Sequence, residues 1–402
     1  MNKAQHRYRT SGLPTRKANG ALAPAILILA FVATRSAQAQ TFTVLYSFKG
    51  AADGGFAYAG VVRDGVGNLY GATYQGGASG LGAVYKVDTT GKETVLYSFA
   101  GGSDGGNPHA GLVRDSAGNL YGTTAYGGSG GCSGGCGIVF KVDKTNKESV
   151  LHEFTGPPDG ERPYAGLVRD SAGNLYGTTY GGGASGFGTV FKLNTTGTET
   201  VLHSFTGLPA DGENPFAGLV RGSAGNLYGT TLNGGTFGYG TIFKLDATDK
   251  ETVLYSFTGF ADGGFPYSGY LVRDGSGNLY GTTYQGGAYN RGTVFKLDKT
   301  NKETVLHSFA GGTADGEFPY AGLVRDTSGN LYGTTYQGGA SGWGTVFKVD
   351  GTDKETLLHS FEYPSDGGYP YAGLVRDTAG NLYGATENGG PAGAGTVFKL
   401  VP

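Results

Sequence analysis

Cysteine is nearly absent from this chain, at two residues in 402. Both lie in one short loop, Cys132-Ser-Gly-Gly-Cys136, with no histidine close in sequence. Zinc wants four ligands, so the loop supplies too few and no metal or other cofactor is expected. A local disulfide fits better, since the Gly pair lets so short a loop close, with free thiols as the other reading. Helical periodicity is also missing. No stretch after residue 40 sustains it over the roughly 10–12 residues a helix needs. Long apolar runs are lacking too. The one candidate, Ala21 to Val32, is short for a bilayer span. It follows a basic lead (Lys3, Arg7, Arg9, Arg16, Lys17) and precedes Ala37-Gln38-Ala39, a small-x-small cleavage pattern. Residues 1–39 therefore read as a secretory signal, and the mature chain as exported to the periplasm or beyond.

Positive charge is scarce once that segment is gone. It carries six of the 30 basic residues and none of the 32 acidic ones, leaving 24 against 32 and a net charge of −8. That balance excludes the basic footprint of a nucleic-acid binder and gains nothing from anionic lipid. A glycan or a surface protein is the expected partner, taken by a monomer with no membrane span.

What the chain has in excess is glycine, 79 residues, together with 27 Tyr and 22 Phe. They fall in a repeat. Gly-Asn-Leu-Tyr-Gly recurs with its Asn at Asn68, Asn119, Asn174, Asn226, Asn278, Asn330 and Asn381. A period near 50 residues means a solenoid, a propeller or an array. Within one copy, four runs of β-branched and aromatic residues are bounded by Gly, Asp or Asn: 164–170, 174–180, 188–193 and 199–205. These read as strands a, b, c and d. Asp170 can accept backbone N–H groups of the a–b turn, and Gly173 can take the positive φ that closes it. Lys192 and Glu199 flank the c–d turn, and the same interval holds for Lys141 and Glu148, Lys244 and Glu251, Lys296 and Glu303, and Lys348 and Glu355; it reads as an exposed charge pair across the hairpin.

Strands a, b and c occur seven times, but the last c, Gly395 to Leu400, has no d after it. The stretch Thr41 to Phe48 is a d strand with no a, b or c before it. A closed ring joins the two, so the expected fold is an all-β seven-bladed β-propeller with four strands per blade. The expected domains are the signal, 1–39, and one propeller, 40–402. Its blades cover about 56–99, 107–154, 162–205, 214–257, 265–309, 318–361, and 369–400 with 41–48.

The repeat core Asp-x-x-Gly-Asn-Leu-Tyr resembles the strand core of NHL-type and regulator-type propeller repeats. The full unit, Gly-Asn-Leu-Tyr-Gly-Thr-Thr-Tyr-Gly-Gly-Gly with Gly-Thr-Val-Phe-Lys-Leu, is similar to the GloVer tandem repeat of exported bacterial proteins, the "choice-of-anchor" group. The resemblance spans residues 41–402 and implies no established activity.

With a innermost and d outermost, the d-to-a and b-to-c loops share one face. Each d-to-a loop carries an aspartate: Asp53, Asp104, Asp159, Asp211, Asp262, Asp315 and Asp366. An aromatic follows at Tyr58, Tyr164, Phe216, Tyr267, Tyr320 and Tyr371, with His109 in the second copy. Acid and aromatic together suit a sugar site, with several equivalent weak sites expected around the ring. Turn chemistry explains the same residues, and calcium would need more oxygens than each loop offers. His152, His203, His307 and His359 on d strands read as packing residues.

Catalysis needs broken symmetry. The second blade has His109, the cysteine loop and Ala125-Tyr126; the third has Glu161 and Arg162. His109, Glu161, Arg162 and Tyr126 are the candidate set for a polysaccharide lyase or glycoside hydrolase. Other departures are Gly222 for the turn aspartate, an extra Tyr270, Arg291, Trp343 and Glu387. Three readings follow: a non-catalytic glycan binder, a polysaccharide-degrading enzyme, and an interaction scaffold.

Overall fold

The computed structural model describes residues 40–402, so the expected signal segment lies outside the described residues. Seven four-stranded antiparallel sheets run in the order a-b-c-d, each with a two-residue a strand. In the third blade the strands are Val168–Arg169, Leu175–Thr179, Thr189–Leu193 and Glu199–Ser204. The seventh sheet takes Val375–Arg376, Leu382–Thr386 and Thr396–Val401 from the end of the chain and Thr41–Ser47 from its start. Thr41 lies opposite Val401 and Ser47 opposite Thr396, so the ring closes as the strand count requires.

Aromatic rings seal each junction. The c-strand ring of the third blade, Phe191, is wholly buried and meets Phe154, which ends the preceding blade's outer strand, edge to face at 5.1 Å. The same pairing joins Phe48 to Tyr85 and Phe309 to Phe347. The Phe191 ring lies over Gly177, the last glycine of Gly-Asn-Leu-Tyr-Gly, where a Cβ would stand 2.6 Å from its Cζ. That glycine admits a ring and shapes no turn.

The a–b turn is built as expected. Asp170 accepts the Asn174 N–H at 2.8 Å, the Asn174 side-chain amide at 2.9 Å and the Tyr176 hydroxyl at 3.1 Å, while Gly173 has φ 96°. The c–d charge pair is not. Leu193 stands opposite Glu199 and Lys192 opposite Thr200, so lysine and glutamate point to opposite faces of the sheet. Lys192 lies 5.9 Å over the Tyr176 ring. Glu199 turns into the junction with the preceding blade, beside Asp159 and His152. Burial, reinforced by Asp159, pushes its carboxyl up to about 7. Glu93, Glu148, Glu251, Glu303 and Glu355 repeat this arrangement. At the closing junction Phe42 takes the part of that glutamate and stacks on His359 at 3.8 Å.

The extra residue of the fifth blade distorts its inner strand. In four other blades a b-strand threonine donates across the junction, as Thr178 does to the Ala217 carbonyl at 3.0 Å and Thr334 to Ala372 at 3.1 Å. Thr230 faces the distorted strand and its buried hydroxyl has no partner. Ser268 instead donates to the Tyr320 carbonyl at 2.7 Å. The Tyr270 ring crosses the axis and takes a hydrogen bond from the Gly166 N–H.

Candidate binding site

The d-to-a loops bring one aromatic from each blade to the axis. Tyr164 stacks on Phe216 with centroids 4.8 Å apart, and Tyr320 on Tyr371 at the same distance. Phe216 meets Tyr267 at 4.5 Å, Tyr58 meets His109 at 5.3 Å, and Tyr371 meets Tyr58 at 5.2 Å. The seven rings form one rosette, not seven separate platforms. The residue two positions before each ring is held left-handed: Phe56, Asn107, Arg162, Asn214, Phe265, Phe318 and Tyr369 all have φ of 54–58°. Such a conformation costs a non-glycine residue energy and persists only where its surroundings enforce it. Here the enforcement is visible. The Arg162 N–H bonds the Cys136 carbonyl of the preceding blade at 2.7 Å, and its carbonyl accepts the Tyr180 N–H at 3.1 Å.

Above the rosette opens a cup of about 510 Å³. Its wall comes from residues that end the b strands, among them Tyr74, Tyr180, Leu232, Tyr336 and Glu387, with Tyr126 from the shifted second blade. Arg162 and Glu387 supply its two formal charges, on the third and seventh blades. Glu387 accepts the Tyr58 hydroxyl at 3.3 Å and also bonds Tyr336, yet burial dominates and raises its carboxyl above the ordinary range. Arg162 has a buried Nε without a partner. His109, in the floor, is pushed down to about 4 by burial against the opposing effect of a bond to the Tyr164 backbone. It is a neutral ring at pH 7. Below the rosette Tyr270 bars the axis, and a second cavity of about 290 Å³, lined by Val61, Leu112, Leu167, Leu323 and Leu374, opens beneath it.

The sequence-derived candidates divide. The six aromatics and His109 converge. The seven aspartates turn back into their own loops and bond the ring of the preceding outer strand: Asp53 with Tyr46 at 2.6 Å, Asp211 with His203 at 3.1 Å, Asp366 with His359 at 2.8 Å, and Asp104 with Tyr97. Asp262 and Asp315 do the same with Tyr255 and His307, and Asp159 lies 3.4 Å from the His152 Nε2. Each also accepts a backbone N–H at the loop's start, Lys49 to Asp53 at 2.9 Å for example. Of the proposed catalytic set, His109, Arg162 and Tyr126 line the cup. Glu161 does not. It lies on the far side of its strand, with Oε2 3.0 Å from the Cys132 sulfur. Cys132 and Cys136 are disulfide-bonded, as one of the two readings held. The left-handed residue decides the Glu161 case: the strand Gly160–Glu161 ends there, opposite Gly181, and the chain turns at Arg162. Glu387 was visible as a departure from the repeat. What hid its role was that the b-strand ends, where tyrosine normally stands, form the cup wall.

The match to the Gloeobacter/Verrucomicrobia repeat covers residues 31–231 and 218–402. The chain belongs to that family. No match was found among curated proteins. Among solved structures, virginiamycin B lyase from Staphylococcus aureus is similar at a TM-score of 0.60 and 14% identity, over 90% of this chain and 99% of that one. A gluconolactonase from Xanthomonas campestris aligns at a TM-score of 0.45 and 16% identity, over 79% of this chain and 89% of its own. At such identities the first likeness shows the fold alone. No helix of the described residues is long and apolar enough to cross a membrane.

Proposed function

We propose that this family member is an exported, non-catalytic propeller that binds the end of a carbohydrate chain in the axial cup. The observation that carries the reading is convergence. Seven loops place their rings in one floor, and b-strand tyrosines wall it, so a single ligand meets flat apolar faces on several sides. Sugars present such faces on their C–H sides and hydroxyls at their edges, and the Tyr hydroxyls, Glu387 and Arg162 answer those edges. One carboxylate lines the cup, whereas hydrolysis of a glycosidic bond uses two carboxyl groups on either side of it. Glu161 turns away from the cup, so the candidate set of the second and third blades brings no carboxylate to it, which supports binding over hydrolysis.

A glycan array followed by titration calorimetry tests this. The expected outcome is one oligosaccharide per chain, with affinity reduced about tenfold by Tyr336→Ala, as loss of one aromatic face implies. Release of reducing or unsaturated ends, abolished by His109→Ala, would establish the enzyme instead. Absence of glycan binding, with a protein partner captured on the same face, would establish the scaffold.

A further inference from the structure

The fourth blade departs from the others at its a–b turn, on the face opposite the cup. Six blades place an aspartate there: Asp64, Asp115, Asp170, Asp274, Asp326 and Asp377. In each, one carboxylate oxygen accepts an asparagine N–H at 2.8–2.9 Å, and the other accepts that asparagine's side-chain amide at 2.7–2.9 Å and a tyrosine hydroxyl at 3.1 Å. A guanidinium from the following blade lies over the tyrosine, as Arg325 does over Tyr280 at 5.5 Å. The fourth blade has Gly222 in place of the acid and keeps the backbone turn, the asparagine, the tyrosine and the arginine. Gly222 N–H bonds the Asn226 carbonyl at 2.8 Å, Gly225 N–H bonds the Gly222 carbonyl at 3.0 Å, and Gly225 has φ 86°. Val220 pairs with Tyr228 as in the sister turns. Arg273 lies 5.7 Å over the Tyr228 ring; a Cβ at position 222 would stand 3.2 Å from the edge of that ring and 3.9 Å from the Arg273 Nε, so the tyrosine leans over the glycine and gives way to an acceptor there. Asn226, Tyr228 and Arg273 are all half-buried, within reach of solvent.

We propose that this turn binds an external carboxylate, held by the Asn226 N–H, the Asn226 amide, the Tyr228 hydroxyl and the Arg273 guanidinium. The six sister turns show what this donor set holds: an acetate-like group on a one-carbon tether. Remove the tether and the donors and the neighbouring cation remain. Charge-assisted bonds from several donors to one carboxylate are the strong kind, and unmatched donors favour an incoming acceptor. The same chemistry can come from a small free acid or from an acidic side chain of a polypeptide.

The test is thermal unfolding at pH 7 and constant ionic strength, with sodium acetate or Nα-acetyl-aspartate amide replacing sodium chloride. Ligand that binds only the folded chain raises the melting temperature with its concentration. The wild type is expected to gain stability with acetate, and Gly222→Asp is expected to melt higher in chloride and gain nothing further. A lower midpoint for the aspartate amide than for acetate assigns the site to a polypeptide's side chain; the reverse assigns it to a free acid. Identical wild-type curves in acetate and chloride would overturn the proposal. So would an acetate effect that persists in Gly222→Asp. Should that variant not fold, the Asn226 side-chain amide resonance in the wild type decides. It moves on acetate titration, or the proposal fails.

Discussion

Gly177 and Phe191 show what a single atom does in this ring. A methyl at Gly177 would overlap the Phe191 ring edge at 2.6 Å, and a ring sealed between two blades has nowhere to retreat. Gly177→Ala is expected to destabilise the protein by about 1–3 kcal/mol, as overpacking of a close-fitted core does. Denaturant unfolding checks it, with Ser171→Ala in the neighbouring turn as a near-neutral control. In sequence, this glycine falls inside the b-strand run 174–180, where a glycine that bends the strand and one that admits a neighbour are the same letter. Only the partner ring, 14 positions on, separates them. Glu161 and Arg162 pose a similar problem. Glu161 recurs as Glu213 and Glu317 while Arg162 stands alone at its loop position, and the left-handed turn at Arg162, which no letter announces, sets which of the two faces the cup. Tyr270 was legible as an extra residue. That it bars the axis and leaves Thr230 without a partner follows from packing that an insertion does not announce.

At the scale of the element, the closing strand and the junction glutamates matter most. Thr41–Ser47 completes the seventh sheet and Phe42 packs on His359, Phe361 and Phe398. Deleting residues 41–48 leaves Thr396–Val401 as an unpaired sheet edge and strips the packing of Phe42 and Phe48, so the truncated chain is expected to melt well below the full one and to aggregate; calorimetry and light scattering read both. Strand phase alone made this closure legible.

The six outer-strand glutamates give a pH dependence of definite sign. Each is raised to about 7 in the fold by burial, against about 4.3 in an unfolded chain. The folded state therefore holds more protons between these values. The stabilisation is complete below the lower value and is lost as pH rises through 7. Turn aspartates act oppositely: Asp64, lowered to about 2 by its Asn68, Gly67 and Tyr70 bonds against the contrary effect of burial, stabilises the fold above its unfolded value and loses that contribution only in acid. Melting temperature is expected to rise from pH 8 to about 5 and to fall again in stronger acid. Replacing Glu199 and Glu251 with glutamine should flatten the upper part of that profile. The reading of Lys192 and Glu199 as a surface pair failed here because their interval of seven was taken for opposition, while the register sets Leu193 against Glu199.

Across the whole molecule, seven repeated loops make one site. The ring and the face that bears its loops were readable from the repeat and its odd strand out. The merging of the loops was not, since sequence order says nothing about whether seven rings stand apart or touch. Their contacts at 4.5–5.5 Å close the floor, and the cup above it has room for one chain end. The decisive measurement is the binding stoichiometry of an oligosaccharide selected on the array, taken by calorimetry on the wild type and on Tyr336→Ala. One ligand per chain and a weakened affinity in the variant are expected. Several equivalent ligands per chain, bound equally well by Tyr336→Ala, would contradict a single site.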